Sequence, residues 1–133
     1  MAYVSQDLKK SLAPQVKAIL KKFGLKGSLS VRNHMTLVLT VKSGAIDFIG
    51  NYNRVAGSRA ADRFTPATGS LDVNPYWYQE HFDGQAQRAI GELLAAMNRG
   101  NHDRSDIQTD YFDVGWYVDL HIGRWNQPYA LEA

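Results

Sequence analysis

Asp119 and His121 are the residues of this 133-residue chain whose types and spacing point most directly to chemistry. A carboxylate beside an imidazole raises the imidazole pKa, and such a pair can serve general acid–base catalysis. The two residues lie in the stretch DVGWYVDLHIG, Asp113 to Gly123. Val114, Trp116, Val118, Leu120 and Ile122 alternate there with Gly115, Tyr117, Asp119, His121 and Gly123. Period two defines a strand with one face on a core, so Asp119 and His121 share the opposite face. The same pattern fits a hydrogen-bonded or solvent-facing strand pair without catalysis.

Other chemistries have less support. The remaining histidines are His34, His81 and His102, and none forms a metal-ligand spacing with an acidic partner. A metal needs three or more converging ligands, and neither an HExxH pair nor an EF-hand loop occurs. There is no cysteine, which excludes disulfides and thiolate-bound metals. No serine lies in a GxSxG elbow, and no glycine-rich phosphate loop is present. Neither a metal nor a cofactor is expected.

Binding has the richer residues. Arg54, Arg59 and Arg63 fall in or beside an irregular middle segment, and Tyr76, Trp77 and Tyr78 form an aromatic run. Trp, Tyr and Arg dominate protein-binding hot spots, so these six are the candidate partner-binding residues. Lys10, Lys17, Lys21 and Lys26 are the candidate nucleic-acid contacts, since lysines neutralise backbone phosphates. Trp77 and one tyrosine serve equally well as core, and the lysines equally well as a solvated face.

The elements that must position these residues follow from periodicity. Ser5 can cap a helix in which Leu8, Leu12, Val16, Ile19, Leu20 and Phe23 keep helical spacing, with Pro14 inside and Gly24 as the stop. Two alternating runs around Asn33-His34 predict a hairpin over residues 28–42, its second strand apolar on both faces near Val38. Residues 45–55 are ambiguous, because Asp47 can cap a helix while Gly50 and the Asn51-Tyr52-Asn53 cluster weaken it. Residues 57–69 read as a surface loop, and 70–73 as a short edge strand. Asp83 opens a second amphipathic helix, with Ala86, Ile90, Leu93, Leu94 and Met97 as its stripe and Gly91 inside it. Residues 101–110 read as a polar loop. The strand 113–123 then precedes a tail in which Trp125 and Tyr129 are expected to pack back onto the body. The expected architecture is α+β, one domain over residues 1–133, with a small, mostly antiparallel sheet and both helices on one face.

Composition sets the frame. A hydrophobic share of 44% and a charged share of 21% suit a globular domain. The net charge of +2 hides a division: residues 1–63 hold eleven Lys/Arg against three Asp/Glu, and residues 64–133 hold four against ten. Such asymmetry serves a basic face for an anionic partner, attraction between the two halves of one fold, or a homodimer. No apolar run approaches the ~20 residues of a membrane helix, and the N-terminal MAYVSQDLKK has no signal-peptide core. A cytoplasmic location without membrane contact is expected.

Two stretches, SLSVRNHMTLVLTVKSGAIDF (Ser28–Phe48) and DVGWYVDLHIGRWNQPY (Asp113–Tyr129), resemble small proteins of phages and other mobile elements, similar to the accessory domains of large polyvalent proteins. The resemblance implies a protein deployed inside a bacterial host, in a class that includes inhibitors of host defence. On that basis the expected partner is a host defence protein or its nucleic-acid complex. Direct binding of DNA or RNA by the basic half is the alternative, and a small hydrolase or nuclease centred on Asp119 and His121 a third.

Overall fold

The computed structural model describes residues 3–59, 64–101 and 115–132. The first element is the helix α1, Gln6–Lys22, capped as its sequence predicts: the Ser5 hydroxyl accepts from the Leu8 N–H at 3.0 Å. Pro14 lies within one continuous helix, on an exposed position. Strands β1, Leu25–Arg32, and β2, Thr36–Gly44, form the expected antiparallel hairpin. Asn33 and His34 take positive φ at its turn, a conformation that asparagine tolerates better than most residues.

Residues 45–55 take the helical one of their two readings, and the helix runs on beyond them. Helix α2 runs Phe48–Arg59, across the ambiguous segment and into the expected loop. Asp47 supplies the start, its carboxylate accepting from the Gly50 N–H at 2.9 Å. The two asparagines that weaken the helix by propensity are tied down by tertiary bonds, Asn51 to Asp83 and Asn53 to Ala67. Strand β3, Leu71–Val73, and a one-turn helix α3, Tyr78–His81, follow. Helix α4 spans Gly84–Met97. Its Gly91 is explained by packing: a Cβ there would sit 3.1 Å from the Tyr78 hydroxyl. Strand β4 is Tyr117–Ile122, shorter than the expected 113–123, and Asp113 and Val114 lie outside the described residues. The two-residue strand β5, Ala130–Leu131, ends the fold.

The architecture is α+β. The sheet order is β1-β2-β4-β3, with β5 joining β2 beyond the end of β4. The hairpin pair and β3–β4 are antiparallel, while β4 and β5 run parallel to β2. The parallel lane arises because the chain leaves β2, passes through α2, β3 and α4, and returns in the same direction. Alternation sorts the strands into two faces. Leu37, Leu39 and Val41 of β2 join Leu120 and Ile122 of β4 in a core with α1 and α4. Phe48 is the hub of its far end, meeting Phe82 and Tyr129 edge to face at 6.4 and 5.7 Å. The Tyr129 hydroxyl donates to the Ile46 carbonyl at 2.6 Å, and burial pushes this phenol up to about 12, helped by the charges of Asp47 and Glu132. Asn101 clamps both backbone groups of Trp116, and the Trp116 indole donates to the Met97 carbonyl, so the end of α4 fixes the start of β4.

Candidate functional site

The second face of the sheet carries the residues of interest. Cross-strand register assembles three rows there: Ser28, Thr40, His121 and Asp72; Ser30, Val38 and Asp119; Arg32, Thr36 and Tyr117. Among the described residues no helix packs on this face, since the contacts of α1 and α4 with the sheet belong to the core. Thr36, Val38 and Thr40 are nevertheless buried. Arg32 of β1 donates to Asp119 of β4, so this ion pair spans the intervening β2 and shields the residues beneath it.

Asp119 and His121 do share a face, as their spacing requires, but they are not partners of each other. Asp119 pairs with Arg32, and His121 Nδ1 lies 2.5 Å from Asp72 Oδ1 on β3. The Asp72 side chain is 84% exposed, so water screens the pair. Among the described residues His121 Nε2 has no hydrogen-bond partner, and that nitrogen is available to a ligand. Among the described residues no three acidic or histidine side chains converge as a metal would need.

A cleft of about 810 Å³ opens over this polar row, with Ser30, Arg32, Asp72, His121, Arg124 and Trp125 in its lining. Trp125 is 90% exposed, contrary to the expectation that it packs back as Tyr129 does. Its presentation is structural: Arg124 and Gln127 exchange two backbone hydrogen bonds, closing a tight turn with Trp125 and Asn126 at the tip. Gly123 anchors that turn. Its φ is +68°, and a Cβ would sit 2.5 Å from the Tyr129 nitrogen and 2.9 Å from the Gly69 carbonyl oxygen. A second hollow at the other end is lined by Arg32, Thr36, Tyr76, Tyr117 and Asp119. Tyr76 is 84% exposed and Tyr117 48%, and the Asn74 side chain accepts from the Tyr76 and Trp77 N–H groups to hold the aromatic run at its corner.

The expected site residues divide. Tyr76 reaches the open face, Trp77 is exposed beside it, and Tyr78 of α3 is half-buried against Gly91 of α4. Arg54 is not on a loop: it stands on α2 and donates to Asp83 at 2.5 Å, away from the open face. That contact, then the Asn51 hydrogen bond, holds the Asp83 carboxyl below its usual range. Asp83 occupies the N-cap of α4 without a side-chain capping bond, because its carboxylate is used by Arg54 and Asn51. Arg63, His102 and the side chain of Arg59 lie outside the described residues. Lys10, Lys17 and Lys21 are exposed on α1, on the helical side of the molecule, and Lys26 reaches Glu132 at 3.7 Å. Residue type alone does not mark Tyr117, Trp125, Arg32, Asp72 and Arg124 as site residues. The one local signal was the turn-forming Gly123 and Pro128 on either side of Trp125.

Comparison with protein-family models, with curated proteins and with solved structures found no match to this chain. No described helix is long and apolar enough to cross a membrane.

Proposed function

We propose that this protein works by binding, as a phage or mobile-element accessory protein that blocks a host nucleic-acid-directed defence complex, such as a CRISPR effector or a restriction enzyme. The open face of the sheet is the contact surface. The observation that carries this reading is the set of exposed rings, Tyr76, Tyr117 and Trp125, around a polar face with balanced charge. Arg32 and Arg124 are offset by Asp72 and Asp119, so the face suits a protein surface better than a phosphate backbone. A tryptophan held out on a rigid turn loses little conformational entropy on binding, which favours its use as an anchor. The assignment to mobile-element proteins draws on the two resembling stretches, and those stretches include the hairpin, β4 and the Trp125 turn.

Direct nucleic-acid binding is the second reading, favoured by Lys10, Lys17 and Lys21, which have no ion-pair partner among the described residues. A hydrolase has less support, because Asp119 and His121 are held in separate pairs. The discriminating experiment is a pull-down from a bacterial host with and without nuclease. Retention of one host protein after nuclease treatment, lost with Trp125→Ala, supports the inhibitor. Capture that disappears with nuclease and weakens steeply with salt supports the nucleic-acid reading.

A further inference from the structure

The outer edge of β1 is an unfilled strand site. The Gly123 N–H donates to the Val41 carbonyl, which turns the backbone polar groups of Leu37, Leu39 and Val41 toward β4 and those of Thr36, Val38 and Thr40 toward β1. The hydrogen-bonded pairs of the hairpin are therefore Ser28 with Thr40, Ser30 with Val38 and Arg32 with Thr36. The N–H and C=O groups of Gly27, Leu29 and Val31 point outward, and no described residue bonds to them. Natural sheet edges are commonly blunted by proline, bulges or covering chain. This one keeps six regular residues, Gly27 to Arg32, beyond a register shift at Lys26.

A groove runs between this edge and α1, with Val16, Leu20 and Leu29 along it and Lys9 and Lys17 on its helical wall. Both lysines lack a partner among the described residues. They are eight residues apart on the helix, about 12 Å along its axis. Positions four apart on an extended strand are separated by about 13 Å.

We infer that the β1 edge accepts an extended acidic segment of a partner protein as an added antiparallel strand, with two carboxylates four residues apart facing Lys9 and Lys17 and an apolar side chain between them in the groove. Antiparallel addition is the more stable pairing and puts that apolar side chain opposite Leu29. A second copy of this chain is a poorer occupant. Antiparallel self-pairing centred on Leu29 sets Lys26 opposite Arg32 at both ends, which is like-charge repulsion. A nucleic acid could meet the lysines, but its backbone cannot match the repeating donors and acceptors of a strand edge. The inference stands apart from the open-face reading, since the two surfaces share neither the aromatic rim nor the lysines.

The test uses the full chain and the peptide acetyl-Thr-Glu-Thr-Val-Thr-Glu-Thr-amide, followed by amide NMR shifts on titration. The expected result is saturable change at Gly27, Leu29, Val31 and the groove side of α1, unaltered in Trp125→Ala. Replacing both glutamates of the peptide by lysine, or Lys9 and Lys17 of the protein by glutamate, weakens binding about tenfold or more. Methylating the three peptide nitrogens that face β1, those of both glutamates and the valine, has a similar effect, whereas methylating the threonine nitrogens has none. Equal binding of the two methylated peptides would reduce the site to charge attraction and overturn the inference. Shifts confined to the open face, no shifts at all, or tighter binding of oligothymidylate to the same residues would also overturn it. So would concentration-dependent shifts at β1 without peptide, which would assign the edge to a second copy.

Discussion

The two faces of the sheet are made by the same strands and have opposite fates. On one, Leu37, Leu39 and Val41 are fully buried beneath helices. On the other, their immediate neighbours Thr36, Val38 and Thr40 are also buried, yet by an ion pair and strand neighbours instead of a packed layer. The first face derives stability from apolar area removed from water. The second is closed enough to order Arg32, Asp119, His121 and Asp72 and open enough to leave rings at its rim. Burial alone therefore does not mark the core of this protein; what covers each residue does.

Substitutions should separate the two faces. Leu39→Ala removes a fully buried side chain from the helical face and should cost about 2–5 kcal/mol in denaturant unfolding. An effect below ~1 kcal/mol would show that this face is loosely packed. Tyr129→Phe leaves the Ile46 carbonyl without its donor and should cost about 1–3 kcal/mol. The wild-type phenol is held protonated, raised from 10.0 to about 12. Its contribution is complete below the unfolded value and is lost as pH rises through the folded one. The alkaline fall in stability between those values should shrink in Tyr129→Phe, and an unchanged pH profile would contradict this. On the open face, Trp125→Ala should leave stability within about 0.5 kcal/mol, while costing about 2 kcal/mol or more in partner binding. Arg32→Met breaks an exposed ion pair and should change stability by less than ~1 kcal/mol. The smallest effect belongs to Arg54→Ala: NMR titration should find the Asp83 carboxyl moved back up toward the ordinary range. The stabilisation from that pair is present above the ordinary carboxylate range and fades as pH falls through the depressed folded value.

Periodicity made much of this legible. The alternation in Thr36–Val41 and Tyr117–Ile122 fixed which residues share a face, and the stripes of α1 and α4 fixed which sides they bury. What it could not supply was the neighbour. Asp119 and Arg32 are 87 positions apart and His121 and Asp72 are 49, so only strand order brings them together. Helix α2 stayed ambiguous because Gly50, Asn51 and Asn53 oppose helix by propensity, and the bonds to Asp83 and Ala67 that hold the two asparagines come from tertiary context. Trp125 escaped because residue type favours burial, whereas the constraint at Gly123 holds the turn outward.

The most direct test of the binding face is photocrosslinking from two positions in a bacterial host, with a benzophenone amino acid replacing Trp125 in one variant and Lys21 on α1 in the other. A partner-binding open face predicts one dominant host-protein adduct from position 125, resistant to nuclease, with little from position 21. Adducts from position 21 alone, or adducts to nucleic acid at both positions, would contradict it.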